Sequence, residues 1–148
     1  MTVRIVIQRD DFDISAEISK LDGEDTGAVA TFTGKVRKDG DLVALTLEHY
    51  PHMTEREIGR IVEDAQGRWP LLGVTILHRI GRLLPGDRIV LVAVAAKHRG
   101  AAFEACQFLM DYLKTRAPFW KEEERSGGRH WVAARHSDDA AAERWRGT

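Results

Sequence analysis

Basic side chains occupy positions at which a folded chain can use them to bind an anion. Lys97, His98 and Arg99 follow an apolar run and precede a helical pattern, so they lie beside the free N–H groups of a helix start. Arginine offers a planar fork to a phosphate, and histidine adds a donor near neutral pH. Arg37 follows another strand pattern. The spacing predicts a phosphate site, and a solvated basic turn is the alternative that it leaves open.

Two lysines lie beyond the end of the same predicted helix. Lys114 is at the helix end, and Lys121 follows an aromatic Pro-Phe-Trp segment that can keep one amine partly dry. Amines that are desolvated or close to other cations have a lowered pKa, which makes a lysine a proton donor, a base or a nucleophile. Alternatively, Lys114 complements the helix dipole and Lys121 pairs with the three glutamates that follow it. Those carboxylates would raise the pKa of Lys121 and leave Lys114 the better proton-transfer group.

The sequence lacks the common signatures of metal and cofactor sites. It contains no glycine-rich phosphate loop, dinucleotide fingerprint, zinc-protease motif or nucleophile elbow. His49 and His52 have no third ligand at a suitable spacing, so a structural role is favoured over a metal site. Cys106, the single cysteine, lies on an apolar helix stripe, which indicates a buried and unreactive thiol. We therefore assign no metal and no cofactor.

Length and charge narrow the class of protein. The 148 residues fit one domain, residues 1–148, with a substantial core. The 22 basic and 23 acidic side chains give a net charge of −1, which produces no global field toward nucleic acid or an anionic membrane. No apolar stretch approaches the roughly 18 residues that span a bilayer. A single cysteine and the lack of a cleavage signal predict the cytoplasm.

Hydrophobic patterning predicts the elements that position these side chains. Strand patterns occupy residues 3–7, 27–36, 42–50, 74–78 and 89–96, and the last is apolar almost without break, as expected at a sheet centre. We expect the second and third strands to form a hairpin. Two main helices are predicted, one opened by a capping box of Thr54 and Glu57 and one over residues 100–114. The pattern indicates an α+β domain with a mixed sheet.

Five motifs together resemble one known family. They are Thr33-Gly34-Lys35-Val36-Arg37, Leu45-Thr46-Leu47-Glu48-His49-Tyr50-Pro51, His78-Arg79-Ile80-Gly81, Lys97-His98-Arg99 followed by Ala102-Phe103-Glu104-Ala105, and Leu-Lys-Thr-Arg-Ala-Pro-Phe-Trp-Lys at residues 113–121. The match runs in order from about Gly27 to Trp145. In these motifs the sequence closely resembles the large, catalytic subunit of molybdopterin synthase.

The resemblance implies a sulfurtransferase of molybdenum cofactor biosynthesis with an α/β-hammerhead type of fold. Its substrate would be cyclic pyranopterin monophosphate. Its sulfur would come from the C-terminal Gly-Gly thiocarboxylate of a small ubiquitin-like subunit, bound to a homodimer within a heterotetramer. By motif, Lys114 and Lys121 would be the catalytic lysines, and Arg37, His98 and Arg99 would hold the substrate phosphate. Arg135 resembles an arginine that reaches the pocket of the other protomer.

Two other functions remain as alternatives at this point. One is a non-catalytic adaptor that binds a ubiquitin-like Gly-Gly tail. The other is a phosphate-ligand or RNA-binding module that uses the basic turn, and the near-neutral charge disfavours RNA.

Overall fold

The structure, a computed structural model, describes residues 1–132 and 136–146 as eight strands and four helices. The strands are β1 (Thr2–Gln8), β2 (Ala28–Lys35), β3 (Ala44–His49), β4 (Leu71–Arg79), β5 (Gly81–Leu83), β6 (Arg88–Ala96), β7 (Phe119–Arg125) and β8 (Gly128–Val132). The helices are α1 (Ile14–Ser19), α2 (Met53–Arg68), α3 (Arg99–Leu113) and α4 (His136–Glu143). None of these helices has the length and apolarity needed to cross a membrane.

The first sheet has the strand order β1-β4-β6-β2 and is mixed. β1 pairs with β4 in parallel, and the other two pairings are antiparallel. α2 and α3 cover one face, where Ile61 and Phe108 pack with Val92, and Leu91 on the other face packs against Phe12. Burial on both faces explains the unbroken apolar run of β6 and confirms it as a central strand. The predicted α+β class with a mixed sheet and two main helices is confirmed.

The second sheet has the order β5-β3-β7-β8 and is antiparallel. The predicted hairpin of the second and third strands is therefore wrong, because β2 pairs with β6 and β3 pairs with β5 and β7. After β2, the N–H of Val36 donates to the carbonyl of Asp87, and the N–H of Gly86 donates to the carbonyl of Val36. These bonds carry the chain to the second sheet, where Val36 is buried with Leu47 and Leu83.

The start of α2 also differs from the predicted capping box of Thr54 and Glu57. The helix begins at Met53 after His52, whose backbone has a φ of 71° and whose N–H donates to the Glu55 carboxylate at 3.2 Å. Thr54 is fully buried instead. Its hydroxyl accepts from the N–H of Tyr50 and donates to the carbonyl of Pro118, both at 2.9 Å. Thr54 thus connects two distant segments rather than capping its own helix.

Candidate active site

A cavity of about 380 Å³ lies between the two sheets at the C-terminal end of α3, and Lys114 and Lys121 both line it. We refer to it as the lysine cavity. Its apolar walls come from both sheets and from α3, and they include Leu45, Leu47, Ile89, Val90, Met110 and Leu113. Among the described residues, the polar and charged ones that line it are Thr33, Lys35, His78, Lys114, Lys121 and Asp138. A concave space that combines apolar walls with several convergent polar groups is typical of a small-molecule site.

Lys114 reaches the lysine cavity because α3 ends there. It is the C-cap residue, and its N–H donates to the carbonyl of Met110 at 3.1 Å. The residue is exposed, and its ammonium forms no ion pair with the described residues. The amine at the end of α3 is therefore available to a ligand.

Lys121 reaches the same cavity from β7. In the second sheet it lies between Leu47 of β3 and Val132 of β8, and all three residues line the cavity. Side chains alternate along a strand, so Trp120 and Glu122 point to the opposite face. There Trp120 contacts Trp131, with ring centroids 4.7 Å apart. The pairing of β7 with β3 thus selects the face that carries the amine.

The three glutamates after Lys121 have arginine partners among the described residues. Glu122 lies 3.8 Å from Arg129, Glu123 lies 2.8 Å from Arg125, and Glu124 lies 3.1 Å from Arg82. The hydrogen bond from Arg82 lowers the pKa of the Glu124 carboxyl. Each of the three carboxylates is therefore close to an arginine that offsets its charge. That these carboxylates raise the pKa of Lys121 stays a prediction.

His98 and Arg99 lie at the opposite end of α3 from the lysine cavity. His98 is the N-cap residue, and Arg99 begins the helix that ends at Leu113. A helix of this length spans about 22 Å at 1.5 Å per residue. Both residues are exposed and form no salt bridge with the described residues, so they are available to an anion. Within one chain, however, they lie too far away to hold a small substrate beside Lys114.

Arg37 follows the part of β2 that lines the cavity. It lies two residues after Lys35, which lines the cavity, and it is exposed without an ion pair among the described residues. Arg135, predicted to reach a second protomer, lies outside the described residues. The structure therefore places Lys114 and Lys121 on one cavity, Arg37 two residues beyond a lining residue of that cavity, and His98 and Arg99 at the other end of α3.

Two residues that line the cavity received no role from sequence reasoning. His78 ends an alternating strand pattern within one of the family-like motifs, and Gly34 lies in another. A Cβ at Gly34 would come within 2.8 Å of Val90 Cγ1 and 3.2 Å of Phe32 Cε1. A glycine at this position thus avoids a clash in the cavity wall. The sequence alone does not indicate this role, because it depends on the side chains of Val90 and Phe32 in the folded chain. Within residues 1–132 and 136–146, no three His, Cys, Asp or Glu residues are grouped to hold a metal ion.

Comparisons with known proteins agree on one family. A family model described as "MoaE protein" matches residues 7–116. A molybdopterin synthase catalytic subunit of Mesorhizobium japonicum is 56% identical over 150 residues, covering 98% of this chain and 93% of the relative. The catalytic subunit of Escherichia coli K12 is also 56% identical, covering 96% of this chain and 97% of its own length.

A solved structure gives the same result for the fold. The molybdopterin biosynthesis MoaE protein from Burkholderia ambifaria superposes with a TM-score of 0.85 at 52% sequence identity. The match covers 98% of both chains. The similarity therefore extends over both sheets and the helices that frame the lysine cavity.

Proposed function

The chain belongs to the MoaE protein family, and from this premise we propose that residues 1–148 form one domain that acts as the catalytic subunit of a molybdopterin synthase. It transfers sulfur from the C-terminal thiocarboxylate of a small ubiquitin-like subunit to cyclic pyranopterin monophosphate. The product is the molybdopterin dithiolene. The free, buried thiol of Cys106 fits the reducing cytoplasm as the site of this reaction.

The observation that supports this function best is the convergence of Lys114 and Lys121 on one cavity. They come from different elements, the end of α3 and the middle of β7, yet both residues line a space of about 380 Å³. Apolar side chains form about half of the surrounding surface and partly exclude water, which strengthens electrostatic interactions between an amine and a developing negative charge. Two donors at one point suit a reaction that generates oxyanions.

In the proposed mechanism the thiocarboxylate sulfur attacks a side-chain carbon of the pterin and forms a carbon–sulfur bond while a carbon–oxygen bond at the same carbon breaks. The departing oxygen leaves on the phosphate or takes up protons and leaves as water. Water then cleaves the acyl–sulfur bond, so the sulfur remains on the substrate and the small subunit leaves as a carboxylate. Lys114 and Lys121 orient the reactants, stabilise the oxyanion of hydrolysis and move protons. Because a dithiolene holds two sulfurs, two small subunits must act in turn while the intermediate stays bound.

The distance between the two ends of α3 favours a site that is shared between two copies of the chain. If Arg37, His98 and Arg99 hold the substrate phosphate, about 22 Å of helix keeps His98 and Arg99 from the lysines of their own chain. A homodimer in which each protomer's α3 start faces its partner's lysine cavity resolves the conflict. Arg135 is proposed to contribute across the same interface, and the small subunits complete a heterotetramer.

Product formation tests the function directly. We expect the chain to form dithiolene when it is incubated with a thiocarboxylated small subunit and cyclic pyranopterin monophosphate. Lys114→Ala and Lys121→Ala should each retain the complex with the small subunit but lose most sulfur transfer. Arg56→Ala is the matched control, since it removes a positive charge from an exposed position on α2 that has no ion pair among the described residues. An intact wild-type complex that forms no product would reject the synthase.

Mixed dimers test the shared site. Lys114→Ala and His98→Ala chains, each inactive alone, form mixed dimers in which one of the two sites has both native residues. Random exchange of subunits should therefore restore about a quarter of wild-type activity. If mixing restores nothing although the chains exchange, the two residues do not act across the interface.

The adaptor alternative makes a different prediction. A Gly-Gly tail would bind equally well to the wild type and to both lysine variants, and none of the three proteins would form product. An RNA-binding module would instead show binding that weakens steeply with salt.

A further inference from the structure

His78 lines the lysine cavity, and its contacts with neighbouring residues fix the orientation of its ring. It lies near the end of β4, is half-buried and lines the cavity together with Lys114 and Lys121. Its ring stacks on Phe119, with centroids 3.8 Å apart and an interplanar angle of 15°. The stack and a hydrogen bond between Nδ1 and the carbonyl oxygen of Arg79, at 2.8 Å, fix the ring plane.

The hydrogen bond to Arg79 determines which ring nitrogen carries the proton. A carbonyl oxygen only accepts, so Nδ1 must be the donor, and a neutral ring then leaves a lone pair on Nε2. The pKa of His78 is lowered to about 4, mainly by burial and in smaller part by the nearby Lys114 and His49, while the bond to Arg79 opposes this shift. At neutral pH the ring is therefore uncharged, with Nε2 as an acceptor.

None of the described residues donates a hydrogen bond to His78 Nε2. The neighbouring ammonium groups can only donate, so the cavity offers donors to an anion and a separate acceptor to a different kind of group. A carboxylate in place of His78 would attract the Lys114 ammonium as an opposite charge. A neutral imidazole attracts it less, and within the described residues no hydrogen bond joins the two side chains.

We propose that His78 Nε2 accepts a hydrogen bond from an N–H or O–H group of a bound reactant, and that His78 is a specificity-determining residue of the sulfur-transfer site. This inference rests on the proposed synthase function. Two reactants carry suitable donors: the pterin ring of the substrate and the terminal glycine amide of the sulfur-carrier tail. A ligand without a donor leaves Nε2 unpaired in a partly dry site, which is how a polar pocket rejects close analogues.

Two substitutions at His78 distinguish the contribution of the acceptor nitrogen from that of the ring stack on Phe119. His78→Phe keeps a flat ring for the stack on Phe119 and removes both nitrogens, whereas His78→Gln keeps an acceptor oxygen and loses the stack. His130→Phe is the matched control, because His130 is exposed on β8 and has no hydrogen bond among the described residues. We expect the phenylalanine variant to bind one reactant about tenfold more weakly, the equivalent of one lost hydrogen bond, and glutamine to restore part of the loss.

Separate titrations with the two reactants identify which of them donates the hydrogen bond to His78 Nε2. Each variant is titrated with cyclic pyranopterin monophosphate alone and with the unactivated small subunit alone, and the reactant whose affinity falls provides the donor. In the wild type, the ¹⁵N resonance of His78 Nε2 should shift when that reactant is added and stay unchanged with the other. This measurement needs no substitution, so a variant that fails to fold leaves the inference testable.

The outcomes distinguish the inference from the function on which it rests. If the wild type forms no dithiolene, the synthase assignment fails. If the wild type is active but folded His78→Phe matches it in both affinities and in turnover, or if neither reactant moves the Nε2 resonance, the role of His78 is refuted and the synthase assignment stands.

Discussion

Thr54 donates a hydrogen bond of 2.9 Å to the carbonyl oxygen of Pro118, 64 residues away in the chain. Pro118 lies in the connection between Lys114 and Lys121, the two lysines of the cavity. The threonine is fully buried, and its hydroxyl also accepts from the N–H of Tyr50. The first turn of α2 therefore holds the segment that determines the spacing of the two amines.

Replacing Thr54 by valine should destabilise the fold and reduce activity. Thr54→Val keeps a branched side chain but leaves the Pro118 carbonyl and the Tyr50 N–H without this partner, at a cost of about 1–3 kcal/mol. Urea denaturation measures the loss, and sulfur transfer reports the spacing of the lysines. Thr54→Ser, the control, keeps the hydroxyl and removes one methyl, so it should retain more activity than the valine variant. The reverse order would contradict the role assigned to the hydroxyl.

An alanine at position 27 should disturb the start of α3. Its Cβ would lie 2.2 Å from the carbonyl oxygen of Lys97, so Gly27→Ala must displace the backbone that leads into His98 and Arg99. We expect a loss of roughly 1–3 kcal/mol in the free energy of unfolding and a weaker affinity for the pterin phosphate. Gly59→Ala is the control, because open space surrounds Gly59 within α2, and it should be stabilising by about 0.5–1 kcal/mol. Equal behaviour of the two variants would be inconsistent with the contact.

Loss of Arg125 should affect substrate binding more than turnover. Its guanidinium contacts the carboxylates of Asp39, Asp41 and Glu123 at 2.8–3.0 Å and thereby holds the turn after Arg37 against β7. The hydroxyl of Ser126 and this guanidinium together lower the pKa of Asp41 to about 2. Arg125→Gln should free the turn and raise the KM for the pterin with little change in kcat.

Arg129→Gln provides the comparison for that experiment. Arg129 lies 3.8 Å from Glu122 on the neighbouring strand, and it forms no ion pair with Asp39 or Asp41 of the turn. Its loss should leave the KM unchanged. A kcat effect without a KM effect in the Arg125 variant would show that the turn does not position Arg37 for binding.

Acid should destabilise the protein through His78. The pKa of His78 in the folded chain is about 4, because burial disfavours the charged ring, against an ordinary value of 6.5. Between pH 6.5 and 4 the unfolded chain therefore binds the proton more readily, so the stability contributed by neutral His78 falls as the pH is lowered through this range. The loss reaches up to about 3 kcal/mol. Urea denaturation at several pH values should show a steeper decline for the wild type than for His78→Phe, and parallel curves would contradict the shift.

Local patterns predicted the elements whose environment is uniform along their length. β6 was predictable because both of its faces are covered, and α3 because one stripe faces the first sheet. β7 was not predicted as a strand, since its Lys-Glu-Glu-Glu-Arg run has no apolar alternation. It becomes a strand because β3 supplies its backbone partners and arginines from other segments pair with its carboxylates. Such long-range pairing leaves no local signal.

The candidate site was predictable as a set of residue types and less so as an arrangement. The lysines and the basic turn were predicted as site residues because they lie at the ends of predicted elements. The distance between His98 and Lys114 could also have been predicted from the sequence, since a helix pattern lies between them. His78 gave no signal of its own, because its role follows from Phe119 and the Arg79 carbonyl, which only the folded chain brings to it.

The alternation along β7 makes the charge of the lysine cavity depend on the register of this strand against β3. Lys121 faces the cavity only because it lies opposite Leu47 and Val132. A slip of one residue in this register would turn Lys121 outward and bring in Glu122, replacing an amine by a carboxylate. A slip of β7 by one residue against β3 can therefore invert the charge presented to an incoming anionic tail without unfolding the sheet.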